Sequence, residues 1–192
     1  MVALKLKHLA LGSSIGLVLF VILTLGSVGS VLADTGTGTT TITGGSLSET
    51  LAVPTVDNAT LDGTDKNLTI TMPLTVIDAT GSGSGWKVTI TSTTFSTGGG
   101  SPHTLTTAPA VSAVSVACVS GSTCTDPTNA ITYNLTVPSG SPAPTAVKLF
   151  NAAVGTGMGK FTLTPTLTLK LLSNVYAGTY SSTFTLAISS GP

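Results

Sequence analysis

The chain has 192 residues, with seven basic and seven acidic side chains, two cysteines and a single tryptophan. Nucleic-acid binding needs clustered Lys and Arg to neutralise phosphates, and the five scattered lysines beyond residue 33, with no arginine, exclude it. Disorder is excluded as well: charged residues make up only 7%, but short alternating runs of Val, Ile, Leu and Thr recur throughout, as in strands with a threonine-covered outer face.

Lys5 and Lys7 precede an apolar run over 9–25, and Val31-Leu32-Ala33 offers small residues before a cut ahead of Asp34. This pattern predicts a signal peptide over 1–33, with an uncleaved anchor helix over 9–33 as the rival. No cysteine follows the run to carry a lipid. Export then leaves a chain of roughly 160 residues, one domain in size, with a formal charge of −2. Residues 34–45 are Asp34 followed by Thr and Gly with one isoleucine and read as a flexible leader, of which 39–43 has the β propensity to pair with a sheet edge.

The folded part is expected over 46–192. Leu47, Leu51 and Val53 begin it, and a polar loop over 54–67 follows, with an Asp62-Gly63 turn. Asp57, Asp62 and Asp65 share that loop. Calcium is the functional reading, but the EF-hand order fails and no glutamate closes the loop, so a solvated turn is preferred. Strands are expected over 68–72 and 74–77, separated by Pro73, and again on either side of Pro165, because proline cannot donate to a ladder. A glycine corner over 78–85 leads into the Trp86 strand. Strands are also expected over 111–118, over 131–137, where Ile131, Tyr133, Leu135 and Val137 alternate with polar residues, over 147–150, and over 180–188. In that last run Tyr180, Phe184, Leu186 and Ile188 share one face. No helical period is sustained after the signal. The pattern predicts an all-β, antiparallel, Greek-key-like β-sandwich.

Cys118 and Cys124 are expected to form a disulfide in an exported protein; a zinc site would need four ligands, and His103 is the one histidine left to add. The run Gly155-Thr-Gly157-Met-Gly159-Lys160 misses phosphate-loop spacing and has Phe161 where Ser or Thr should hold magnesium, so it reads as a turn. His103 is the sole candidate base, no nucleophile elbow accompanies it, and few aromatics are present to hold a sugar for paired-carboxylate hydrolysis. No enzyme activity, cofactor or metal is expected.

The stretch over 78–95 carries Asp78, then Gly81, Gly83 and Gly85 alternating with Ser82 and Ser84, then Trp86-Lys87-Val88. Near the C-terminus Phe184-Thr185-Leu186 precedes a short polar run ending in Pro192. These segments resemble the two Trp-x-Leu motifs of the WxL-type cell-surface domain of Gram-positive-like bacteria, with Val88 at the last position of the first and Phe184 at the first position of the second. The resemblance implies secretion and non-covalent attachment to the cell wall, with Asp78, Gly81, Gly83, Gly85, Trp86, Val88, Phe184 and Leu186 as the attachment motif, by contact or by shaping the fold. The partner is then peptidoglycan or an associated wall polymer, other surface proteins being further candidates. No Leu-Pro-x-Thr-Gly motif is present, so covalent anchoring is not expected.

Trp86 has two readings. Sharing a face with Val88 and Ile90, it would be a core anchor packed on Phe184 and Tyr180; exposed, it would be a platform for sugar rings. The period favours the core. The alternative function is a structural subunit of an extracellular fibre assembled by strand exchange through 39–43.

Overall fold

The computed structural model describes residues 35–192; the signal segment expected over 1–33 lies outside them. The β-branched, threonine-rich runs form eleven strands: β1 (Leu47–Leu51), β2 (Thr55–Val56), β3 (Lys66–Thr71), β4 (Leu74–Asp78), β5 (Trp86–Thr93), β6 (Ala110–Cys118), β7 (Leu135–Thr136), β8 (Ser139–Gly140), β9 (Val147–Ala152), β10 (Gly159–Leu171) and β11 (Phe184–Ser190). No helix occurs among the described residues. Residues Ile42–Pro192 form one compact unit; of the other unit, residues 35–41 are exposed and in no strand.

β10 organises the larger sheet. Its two-residue period sends Phe161, Leu163, Leu167 and Leu169 into the core and leaves Thr162, Thr164, Thr166 and Thr168 half-buried outside. On one side it pairs first with β4, then with β3; on the other it pairs with β6. β3 and β4 therefore run collinearly along a single strand, broken only at Met72-Pro73. Pro165 corrects the expectation of an interruption, because β10 passes straight through it. The Pro165 carbonyl accepts the Met72 N–H at 3.0 Å, so its missing N–H faces the gap that Pro73 opens between β3 and β4, where no ladder bond is lost. β1 flanks β4, β2 flanks β3 and β7 flanks the start of β6.

The second sheet centres on β5, between antiparallel β11 and β9, with a short parallel contact to β8. Trp86, Val88 and Ile90 point inward and meet Phe161, Leu163 and Val76 of the first sheet in one shared core. The result is an all-β sandwich. Its inner faces exclude water, and burial of the large side chains, each fully burying on the order of 1.5–3 kcal/mol of apolar transfer energy, is its main driving force.

Two local expectations are corrected, and the leader stays outside the sheets. The alternation over 131–137 yields only the two residues of β7, because side-chain bonds take over the upstream segment: the Tyr133 hydroxyl donates to the Leu149 carbonyl at 3.1 Å and accepts from Asn129 Nδ2 at 3.0 Å. Burial holds the Tyr133 hydroxyl above the usual tyrosine range, in its neutral, donating form. Tyr180 lies outside β11, which starts at Phe184. Residues 39–43, for all their β propensity, are in no strand.

Candidate functional site

The glycine corner is built by its own hydroxyls and carboxylate. Asp78, buried at the end of β4, accepts from both the N–H and the hydroxyl of Thr80 through Oδ1, at 3.1 and 2.7 Å, and Ser82 and Ser84 continue the chain of short-range bonds. Gly81, Gly83 and Gly85 take φ of 66°, 64° and 69°, the left-handed region that L side chains avoid. The corner is locked at two further points, since Gly155 N–H donates to Gly83 O and Gly191 N–H donates to Gly85 O. A side chain at Gly85 would run into the Ala152 carbonyl.

Beyond the corner Trp86 is fully buried. Its ring stacks on Phe150 at 5.7 Å between centroids, and its Nε1–H donates to the Gly157 carbonyl at 2.9 Å. This corrects the expected packing on Phe184 and Tyr180. The β5–β11 register sets Ser190 opposite Trp86 and Phe184 opposite Ser92, six residues or about 20 Å along the strand. Phe184 instead packs edge-on against Phe95, and Leu186 sits opposite Ile90. Val88 is fully buried beside Trp86. The two triplets thus lie at opposite ends of one strand pair and form no joint surface; with its indole buried, Trp86 offers no platform to a ligand.

Cys118 and Cys124 are disulfide-bonded, tying the end of β6 to a loop whose Cys124 packs against the core. Asp57, Asp62 and Asp65 do not converge. Asp62 pairs with Lys66 at 2.7 Å, Asp65 with Lys170 at 3.0 Å, and Asp57 accepts the Thr69 N–H at 3.0 Å. The lysine bonds hold the Asp62 and Asp65 carboxyls below the ordinary carboxylate range. Among the described residues no three His, Cys, Asp or Glu side chains come together to hold a metal ion.

His103 is exposed, and its ring stacks on Tyr176 at 3.9 Å with 14° between the planes. Tyr176 is itself 66% exposed and borders a groove of about 590 Å³ at the Phe184 end of the sandwich. Phe95, Leu61 and Tyr180 line its apolar side, and Asn58 and Thr179 supply polar groups. The Tyr180 hydroxyl donates to the Tyr176 carbonyl at 2.9 Å, bracing the turn that presents Tyr176. Asp57 is the one charged residue in the lining, which holds no lysine or arginine. Sequence reasoning missed this groove, because its walls come from 56–61, from Leu68, Phe95, Leu105 and the end of β10, and from 175–180; the only local signal was a tyrosine beside the Ala177-Gly178 turn. Gly157 and Phe150, the actual partners of Trp86, were missed for the same reason.

Set against known proteins, the chain matches no family model, no curated protein and no solved structure.

Proposed function

We propose that this is an exported cell-surface protein that attaches non-covalently to cell-wall glycan, and that the Tyr176 groove makes the contact. The exposed Tyr176 ring beside a hydroxyl-bearing groove whose single charged lining residue is Asp57 carries the reading. A sugar ring has an apolar C–H face that stacks on an aromatic and a rim of hydroxyls that needs neutral donors and acceptors; Asn58, Thr60 and Thr179 are such groups. A lining without cations disfavours a strongly anionic polymer and favours the glycan strands of peptidoglycan or a neutral wall polysaccharide. On this reading the Asp78–Trp86 motif shapes the fold and binds nothing itself. The Lys-flanked apolar run ahead of Asp34 supplies export, and the disulfide suits the oxidising compartment that follows.

The test is a pull-down on isolated cell walls before and after glycan digestion. The wild-type protein is expected to sediment with intact walls and to be released by digestion, and Tyr176→Ala to lose at least tenfold in wall affinity at an unchanged melting temperature. Equal retention of wild type and Tyr176→Ala would reject the groove, and retention on digested walls would reject the glycan.

A further inference from the structure

A sheet edge is a row of unpaired N–H and C=O groups, and folded proteins blunt it by shortening it, covering it or placing charge or proline on it. Most edges here are managed. β2 and β7 are two residues long, β1 carries Glu49 and packs beside β11, and the side of β9 away from β5 is covered by 128–133, through bonds such as Ala153 N–H to Thr128 O and Ala130 N–H to Asn151 Oδ1. β6 is different. Beyond its two-residue contact with β7, the register against β10 shifts at Ser112, and among the described residues no strand pairs with 113–118 on the side away from β10. That segment reads Ala-Val-Ser-Val-Ala-Cys, with no charge and no proline, and Val116 is one of the few large apolar side chains left exposed.

The direction of its backbone groups follows from Pro165. Val114 lies opposite Pro165 in the β6–β10 register, and the Pro165 carbonyl is turned to the other side, toward Met72. Val114 therefore exchanges no ladder bond with β10, and its N–H and C=O point to the open edge. The alternation of an antiparallel ladder places those of Val116 beside them.

The same chain carries a segment suited to this edge. Residues 39–43, Thr-Thr-Thr-Ile-Thr, are five consecutive β-branched residues in no strand, and Ile42 is 91% exposed. Ile42 and the residues after it run directly into β1, where Gly45 N–H still donates to Ala79 O. In the sheet order β1-β4-β10-β6, all antiparallel, β1 and β6 are opposite edges of opposite direction. A segment extended in the direction of β1 would be antiparallel to the β6 of a copy in the same orientation, and a head-to-tail contact of this kind builds a filament unless its rotation closes a ring.

We propose that β6, over 113–118, is an acceptor edge that pairs with residues 39–43 of a second copy of this chain, setting Ile42 against Val114 and Val116 and linking copies head to tail. The contact uses neither the Tyr176 groove nor the glycan reading and stands independently of both.

The test uses a labelled synthetic peptide of residues 36–45 and the chain lacking 37–43, which leaves the edge without a competing donor. The peptide is expected to bind saturably, and Val116→Pro, which removes one outward N–H and leaves the β10 ladder intact, to weaken binding at least tenfold at an unchanged melting temperature. A peptide with Ile42→Asp is expected to fail. If Val116→Pro lowers the melting temperature, Val116→Lys takes its place, since lysine protects an edge without altering the backbone. Absence of peptide binding, or binding that neither Val116 variant changes, would overturn the proposal.

Discussion

Trp86 is the one tryptophan of the chain and reports its own environment by fluorescence. Trp86→Ala empties a fully buried site and is expected to cost about 3–5 kcal/mol, a large part of the stability of a small domain. Trp86→Phe keeps an aromatic against Phe150 but deletes the donor to the buried Gly157 carbonyl. It is therefore expected to fall between, about 1–3 kcal/mol below wild type. The Gly157 bond gives the indole a role that an aromatic ring alone does not fill. Urea unfolding of the three proteins orders them, and a Phe variant as stable as wild type would mean that this bond contributes nothing.

Among the elements, the corner between β4 and β5 depends on glycine and the loop after β6 on its disulfide. Gly85→Ala would need a left-handed backbone at φ 69° and a side chain against the Ala152 carbonyl. It is expected to destabilise by about 2–4 kcal/mol, seen as a fall in the urea midpoint at an unchanged slope. The Cys118–Cys124 bond closes a separation of only six residues. Reduction is then expected to cost about 2 kcal/mol in the chain-entropy model and to leave the fold intact, because the loop adds only the partly buried Cys124 to the edge of a core whose buried side chains lie elsewhere. Denaturation with and without reductant measures the cost, and mass spectrometry of unreduced peptides checks the bond. Unfolding on reduction in water would show that the loop holds far more than its own length.

Among the described residues the ion pairs are two, Asp62 with Lys66 and Asp65 with Lys170, and their contribution is small. Asp62 and Asp65, both exposed, are held below the ordinary carboxylate value of 3.8 chiefly by hydrogen bonds to Lys66 and Lys170, respectively. Carboxyls with lowered folded pKa values contribute stability above the unfolded value and lose it as pH falls through the folded one. The melting temperature is therefore expected to be flat from pH 5 to 7 and to decline modestly below about pH 4. In the double variant Asp62→Asn, Asp65→Asn that acid decline should shrink, and an undiminished decline would assign it to other carboxylates. Exposed pairs of this kind are screened, so salt should reduce the difference.

The all-β class, the inward face of β5 and the glycine corner after Asp78 are legible in the sequence. These follow from forces acting within a few residues: the two-residue period sorts side chains to opposite faces, and glycine alone accepts the left-handed backbone the corner needs. The disulfide, too, was legible from the spacing of two cysteines in a chain whose Lys-flanked apolar run predicts export. What meets across the core is set by the pairing of distant strands. Trp86 lies 71 residues from Gly157, and whether its ring reaches Phe184 or Phe150 depends on strand register, which local period does not encode. The same reason hides the continuity of β10 through Pro165, which rests on a gap at Pro73 nearly a hundred residues earlier. It also hides the irregular path over 131–134, where Tyr133 and Asn129 bond to β9, and the Tyr176 groove and the open edge of β6, which exist only where distant segments end beside one another or fail to.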